Sequence, residues 1–480
     1  MDSRSASAAG KLIILTTAIF VVFIIALNLG KIASTKAYFY VLAVVPMFIL
    51  LYFLTARFKI LPMPFTVVVF LAALVLKGIF VLCTNTVPVS DFSVFYLNAV
   101  ELVKGKRAFE QDFYFRTWAY QTGPVIYYAC LIKLFGAGLL PLKLINCVFM
   151  AGSNALIYLL ARKVSTDFAA RYVALLYLFY PAPYLLSSAL TNQHLAAFLF
   201  LTAIYALMSR RMNLLGSAIT AALLIALGNA VRPLGLLLVT SVTIWCVIRA
   251  LHDGSIARVI VAAILIVAYI VGSLGISSIV QMTGINSQGL KNNFPLWKFV
   301  VGLNHQSKGL YNLEDDKNIY QISDFNKRNE KAINTIKERV SVEPFKLATL
   351  LCTKVFIMWA EYDTLMWSFY EEVDGELRAP PEVKGIEQTV LSFEKGFYVL
   401  IFALLGFGFI SVLTNRIIKE EFMLLSIILL CFILVHLFIE IQVRYRYFSV
   451  LIIFVLAARG CEFLFGASAG LERPSEHKYG

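Results

Sequence analysis

The stretch PFTVVVFLAALVLKGIFVLCTNTVPVSDF, residues 64–92, decides the fold. Its first part, 64–83, carries a single charge, Lys77. At about 1.5 Å per residue it is long enough to cross roughly 30 Å of hydrocarbon as a helix. In lipid the backbone must satisfy its own hydrogen bonds, which makes such a run a helix and not a strand. Eight residues past its end comes Ser90-Asp91-Phe92. A carboxylate where a spanning helix leaves the bilayer is costly to hold unless water, a cation or a substrate meets it. Span and exit carboxylate together predict a membrane protein with chemistry at the membrane surface.

The rest of the chain repeats the first half of that pattern. Over 480 residues, 60% are hydrophobic and 15% charged, and the mean hydropathy of +0.78 lies outside the soluble range. Apolar runs place spans at about 11–29, 37–55, 64–83, 140–161, 170–188, 192–208, 213–231, 233–250, 259–280, 395–414, 420–439 and 446–465. The fold class expected is an all-α polytopic membrane protein of about 12 transmembrane helices (11–13), with surface-parallel helices in two extracytoplasmic loops. Its parts are two N-terminal spans (1–63), a membrane core (64–280) containing the first outer loop (84–139), a large outer region (281–394), and C-terminal spans with a short tail (395–480). The first span follows Arg4 and Lys11 without a small-residue cleavage site, which reads as a retained anchor.

Short-loop Lys and Arg set the orientation. With the N-terminus inside, cytoplasmic turns carry Arg57, Lys59, Arg162, Lys163, Arg171, Arg210, Arg211, Arg249, Arg258, Arg416 and Lys419, while the 188–192 turn has none. Both termini are then cytoplasmic and Asp91 is extracytoplasmic. The formal charge of +13 is accounted for by anchoring against anionic lipid and not by nucleic acid. The seven cysteines (83, 130, 147, 246, 352, 431, 461) show no CxxC or paired spacing and read as small buried hydrophobes, with no disulfide framework or zinc site.

Residues 91–103 have helical periodicity, with Phe92, Phe95, Tyr96, Ala99 and Val103 on or near one face, suiting a surface helix capped by Ser90 or Asp91. Gly105 ends it, and Gly123-Pro124 lies at the head of a short apolar helix. The region 281–394 holds Asn304-His305, the acidic run Glu314-Asp315-Asp316, a polar helix near 325–340 and an interfacial segment at 345–360 with Lys346, Lys354 and Trp359. The acidic run suits either a divalent cation or plain solvation, and solvation is the favoured reading. No cofactor is implied, and no metal-ligand set is assigned.

The Asp91-Phe92 pair, Gly123-Pro124, Leu134-Phe-Gly136, Ala161-Arg162-Lys163, Asn229-Ala-Val-Arg232-Pro233 and Arg444-Tyr-Arg446-Tyr447 occur in an order that resembles the GT-C superfamily of polyprenyl-phosphate-sugar glycosyltransferases. Within it the chain is most similar to the bacterial branch related to protein O-mannosyltransferases and lipid A aminoarabinose transferases. The pattern runs loosely from about 64 to 465. Ser-Asp-Phe stands where protein O-mannosyltransferases have Asp-Glu, and Asn192-Gln193-His194 where many relatives have Asn-Glu. The first two spans look like an addition to the family's start. The resemblance implies a polyprenyl-phosphate-linked sugar donor, transfer with inversion, Asp91 as the base, and a site on the outer face of a bacterial cytoplasmic membrane. The acceptor is an envelope glycan, lipid or protein.

The chemistry asks for the same groups. Transfer from a polyprenyl phosphate needs a base for the acceptor hydroxyl and cations for the departing phosphate. The phosphate leaves readily, so one carboxylate suffices, unlike the carboxylate pair of glycoside hydrolysis. Arg444 and Arg446 suit a phosphate by permanent charge and planar donors, though snorkelling to headgroups suits them too. Two apart on a helix they diverge by about 200°, so one of them faces the phosphate. Arg232 is either a phosphate contact or a tie to a carbonyl. Tyr96, Asn192, His194, Asn304 and His305 are candidates for the substrate pocket, against plain capping and loop polarity. A lipid-linked oligosaccharide flippase or transporter would need mid-membrane polar groups, for which Lys77 is the candidate. An envelope-polysaccharide polymerase would share the outer loop and arginines without needing Asp91. The glycosyltransferase reading requires the fold to bring Asp91 and the arginine pair into one cavity.

Overall fold

In the computed structural model, residues 8–57, 63–84, 86–209, 213–363, 365–374, 376–415 and 418–466 are described. Arg4, Lys59, Arg210, Arg211 and Arg416, used above for orientation, lie outside the described residues, as does the tail beyond 466. The described chain is helical apart from turns and one short antiparallel ribbon, Glu371–Val373 with Glu376–Arg378. Ten helices are long and apolar enough to cross a membrane: Ala8–Thr35, Tyr38–Arg57, Phe65–Cys83, Leu139–Val164, Leu214–Val231, Gly235–Asp253, Ile256–Met282, Pro381–Asn415, Glu420–Phe438 and Val443–Phe465.

The two other expected spans exist as shorter helices. The 170–188 segment is divided into Asp167–Phe179 and Pro181–Ser188. Proline disfavours the helical conformation in the residue before it, and Tyr180 is accordingly extended. The 192–208 segment is the 16-residue helix Gln193–Met208. The expected 395–414 span begins earlier, at Pro381, and runs 35 residues. The interfacial segment forms as Pro344–Trp359, with Pro344 at its first turn, where a missing N–H is harmless.

Helices Leu139–Val164, Pro381–Asn415 and Val443–Phe465 form the centre, and Ile256–Met282 lies outermost. Pro381–Asn415 and Val443–Phe465 cross at Gly408 and Gly460. A Cβ at Gly460 would stand 1.8 Å from the Leu404 carbonyl oxygen, so the closest crossing in the bundle needs glycine. Cys147, Cys246 and Cys461 are buried as expected. Cys83, Cys130 and Cys352 lie on the outer surface instead, where a small apolar side chain meets lipid or headgroups.

At one end of the bundle the two outer regions are joined by backbone hydrogen bonds. Ala108 and Phe109 donate to Gly284 and Ile285, and Tyr120 donates to Lys291. Lys354 reaches the same end, where its ammonium donates to the carbonyls of Gly302, Leu437 and Ile439. Two of these belong to the unpaired last turn of Glu420–Phe438 and its exit, which the lysine caps.

Candidate functional site

Helix Asp91–Val103 begins at Asp91, and the Ser90 side chain makes no capping bond. Asp91 does not cap either: its carboxylate turns toward Tyr114 and Arg444. Tyr114 Oη donates to Asp91 Oδ1 at 3.4 Å, and an Arg444 terminal nitrogen lies 3.8 Å from Oδ2. The Asp91 side chain remains 44% exposed, so this loose pairing leaves it lone pairs for a substrate. Catalytic hydrogen bonds are often long before substrate arrives.

Arg444 sits in the 3₁₀ turn Val443–Arg446 that leads into the last long helix. Its Nε donates to Gln442 Oε1 at 2.6 Å, and its guanidinium lies 5.3 Å from the Phe92 ring and 5.5 Å from the Trp367 ring. Phe92 and Trp367 are themselves stacked at 5.6 Å. Nε is thereby occupied while, among the described residues, neither terminal nitrogen makes a hydrogen bond. That is the planar fork an oxyanion needs.

Glu440 stands behind Arg444. Its Oε2 is 2.5 Å from Lys298 Nζ, and its Oε1 accepts from Gln442 Nε2 at 3.0 Å. The Glu440 N–H donates to the Lys298 carbonyl at 2.7 Å. This approach needs Gly302, because a Cβ there would come within 2.4 Å of the Phe438 carbonyl oxygen. Burial would raise the Glu440 carboxyl, but Lys298 and its hydrogen bonds outweigh it and hold it below the ordinary glutamate range. A relay therefore runs Lys298–Glu440–Gln442–Arg444 to Asp91.

These groups line one cavity of about 970 Å³. Its other carboxylates are already engaged: Glu361 pairs with Lys31 at 2.7 Å, and Asp316 accepts from Gln321 at 2.8 Å. Burial pushes the Tyr114 hydroxyl well up and Tyr120 up to about 12, so both are neutral donors at ordinary pH. Asp91 is the least committed carboxylate among the described lining residues. Arg232 follows helix Leu214–Val231 and lies over the Tyr445 ring at 5.5 Å, close enough to Arg444 and Asp91 for their charges to be felt. Burial lowers it to about 10, which leaves it a cation.

The other expected site residues lie elsewhere. Arg446 is 1% exposed, bonded to Asp363 at 3.1 Å and within 4.0 Å of Glu394. Those carboxylates use up its charge, which corrects its assignment to the donor phosphate. Tyr96 donates to the Ala137 carbonyl at 2.5 Å and ties its helix to the following loop. Asn192 donates to the Val231 carbonyl at 2.7 Å, fixing the turn beside Arg232. His194 is held between Tyr447 Oη and the Leu186 carbonyl. Asn304 is buried, donating to Asp315 and accepting from the Gln306 and Ser307 N–H groups. His305 bonds the Arg339 carbonyl and lines a separate hollow with Lys308 and Lys346. None of these five lines the Asp91 cavity. In the acidic run, Asp315 is taken by Arg339 at 2.6 Å, and among the described residues no group of three His, Cys, Asp or Glu is placed to hold a metal.

Lys298, Glu440 and Tyr114 were missed by sequence reasoning. Glu440 did leave a signal, an acid with Gln442 interrupting an apolar run just before Arg444. Lys298 left none.

No protein-family model matches the chain, and no curated protein matches it. Among solved structures it is similar to the archaeal oligosaccharyltransferase AglB from Archaeoglobus fulgidus in complex with an inhibitory peptide and a dolichol-phosphate, at 15% identity and a TM-score of 0.42 over 83% of this chain and 50% of that one. The Archaeoglobus fulgidus oligosaccharyltransferase in the apo form is similar at 14% identity and the same TM-score, over 83% and 51%. The chain spans about half the length of these structures, and the functional reading rests on the site itself.

Proposed function

We propose that this chain is a GT-C-like membrane glycosyltransferase that moves a sugar from a polyprenyl-phosphate donor to an envelope acceptor. The observation that carries the reading is the placement of Asp91 and Arg444 on one cavity at one end of a bundle of long apolar helices. Asp91 accepts the acceptor hydroxyl's proton as that oxygen attacks the anomeric carbon from the face opposite the phosphate. The carbon–phosphate oxygen bond breaks, its electron pair leaves with the phosphate, and Arg444 meets the growing charge with Arg232 behind it. Attack from the opposite face inverts the anomeric centre.

Several observations support an extracytoplasmic site. The opposite end of the bundle holds Arg162 and Arg171 on Asp167, and Arg249 and Arg258 on Glu420. By the positive-inside rule that end is cytoplasmic. A bacterial cytoplasmic membrane and inward termini follow from this orientation and the family resemblance.

The test is transfer from radiolabelled polyprenyl-phosphate sugars by protein in liposomes, comparing wild type with Asp91→Asn. Lost turnover with retained donor binding supports the base, and unimpaired transfer removes it. Buried charges at Arg446, Asp363, Glu394 and Lys395 favour a flippase or transporter as the second reading. The void beside Arg446 and Asp363 holds only about 20 Å³, too little for a path. Lipid scrambling in sealed liposomes without covalent transfer would decide for that reading.

A further inference from the structure

The wall of the cavity formed by the outer loops is aromatic, and the mechanism above does not use it. Trp118 and Tyr320 stack at 5.5 Å with an interplanar angle of 9°, and the Trp118 Nε1–H donates to Tyr320 Oη at 3.2 Å. Trp297 meets Tyr320 at 5.6 Å. Behind this platform the Arg328 guanidinium lies 4.7 Å from Phe294, which packs on Trp118. Such a braced, rigid surface loses little conformational freedom when it binds.

We propose, resting on the glycosyltransferase reading, that this wall is the acceptor subsite and that the acceptor is a neutral glycan. A sugar ring has an apolar C–H face and a hydroxyl edge. The C–H face suits the negative face of an aromatic ring. Its edge suits the neutral donors beside the platform, Tyr120 and Gln121, which also line the cavity. Charge is distributed to match. Asp91, Arg444, Glu440 and Lys298 lie along the relay, while Asp316 is the ionisable acid near the aromatic wall. An anionic glycan gains no cation there. A peptide bound by strand addition would need an open sheet edge, and the described lining segments are helical turns and coil.

The spacing also fits. The Trp118 N–H donates to the Tyr114 carbonyl at 2.8 Å, so the two residues are one helical turn apart, and Tyr114 touches Asp91. That turn advances the chain by about 6 Å. A hydroxyl placed at Asp91 therefore leaves its own ring, or the next one, over the platform.

The test is direct binding by the full chain in detergent, read by saturation-transfer NMR. The probes are cellotetraose, maltotetraose and chitotetraose, with tetragalacturonate as the anionic probe and a Ser/Thr-rich octapeptide as the protein probe. At least one neutral tetrasaccharide should bind, with magnetisation reaching its ring C–H protons. Tyr320→Ala should weaken it about 3- to 10-fold, and Trp118→Phe should retain most of the affinity. Tyr311→Ala, at the exposed rim, serves as a further variant where a platform substitution does not fold. The proposal is overturned if no neutral tetrasaccharide binds, if tetragalacturonate or the octapeptide binds in their place, or if the folded variants bind like wild type. Asp91→Asn should bind the glycan unchanged. Binding without transfer to any acceptor removes the enzyme reading and leaves the subsite, whereas transfer without binding removes the subsite alone.

Discussion

Glu440 stands 2.5 Å from Lys298 and, through Gln442, holds the arginine that faces Asp91. The site is thus supported by a chain of charged and neutral hydrogen bonds running across two outer segments, 297–302 and 439–446. Neither segment touches the acceptor base directly, yet both set where Arg444 points.

Removing the Asp91 charge tests the chemistry most directly. Asp91→Asn should lower turnover by about 10²- to 10⁴-fold, the usual contribution of a general base. Donor affinity, measured by equilibrium binding of a labelled polyprenyl-phosphate sugar, should change little.

Arg444 should be sensitive to shape as well as charge. Arg444→Lys keeps a cation but loses the fork, the Gln442 bond and the stack against Phe92 and Trp367. Its donor affinity should fall by about tenfold or more, corresponding to loss of a charged hydrogen bond of about 1.5–3 kcal/mol. An affinity equal to wild type would place the phosphate elsewhere.

Glu440→Gln should cost about 1–3 kcal/mol of stability. That is less than a fully buried broken pair, because the Lys298 side chain remains about a third exposed. The pH dependence follows from the sign of the shift. The folded carboxyl lies below the ordinary value of 4.5, so its stabilisation is complete above that value and is lost as pH falls through the folded one. Wild type should therefore lose melting temperature on acidification below the ordinary glutamate range. Glu440→Gln should lack that component, as read by thermal unfolding across an acidic pH series.

Arg446 should behave as a structural residue. Arg446→Ala leaves Asp363 buried without its partner, a change worth about 3–5 kcal/mol. Expression and melting temperature should drop, while donor affinity per folded molecule stays close to wild type. A selective loss of donor binding with normal stability would return Arg446 to the phosphate site.

The membrane helices were readable because their cause is local. A run of apolar residues such as 64–83 must bury its backbone hydrogen bonds in itself whatever surrounds it. Even the break in the expected 170–188 span has a local cause in Pro181. The choice between Arg444 and Arg446 was not local. On a helix or in the 3₁₀ turn they occupy, two residues apart point in different directions, so the sequence says only that they diverge. Asp363, on a segment returning from helix Pro344–Trp359, claims Arg446 and leaves Arg444 to the cavity.

The sequence by itself therefore determined the membrane class, most of the helices and the isolated carboxylate at Asp91. Tertiary structure alone decided that Asp91 meets Arg444, that Lys298 and Glu440 brace it, and that an aromatic wall faces them both. Hydropathy and helix periodicity act over neighbouring residues. Which side chains converge depends on packing between segments hundreds of residues apart, where a glycine at 302 or 460 sets how closely two backbones approach.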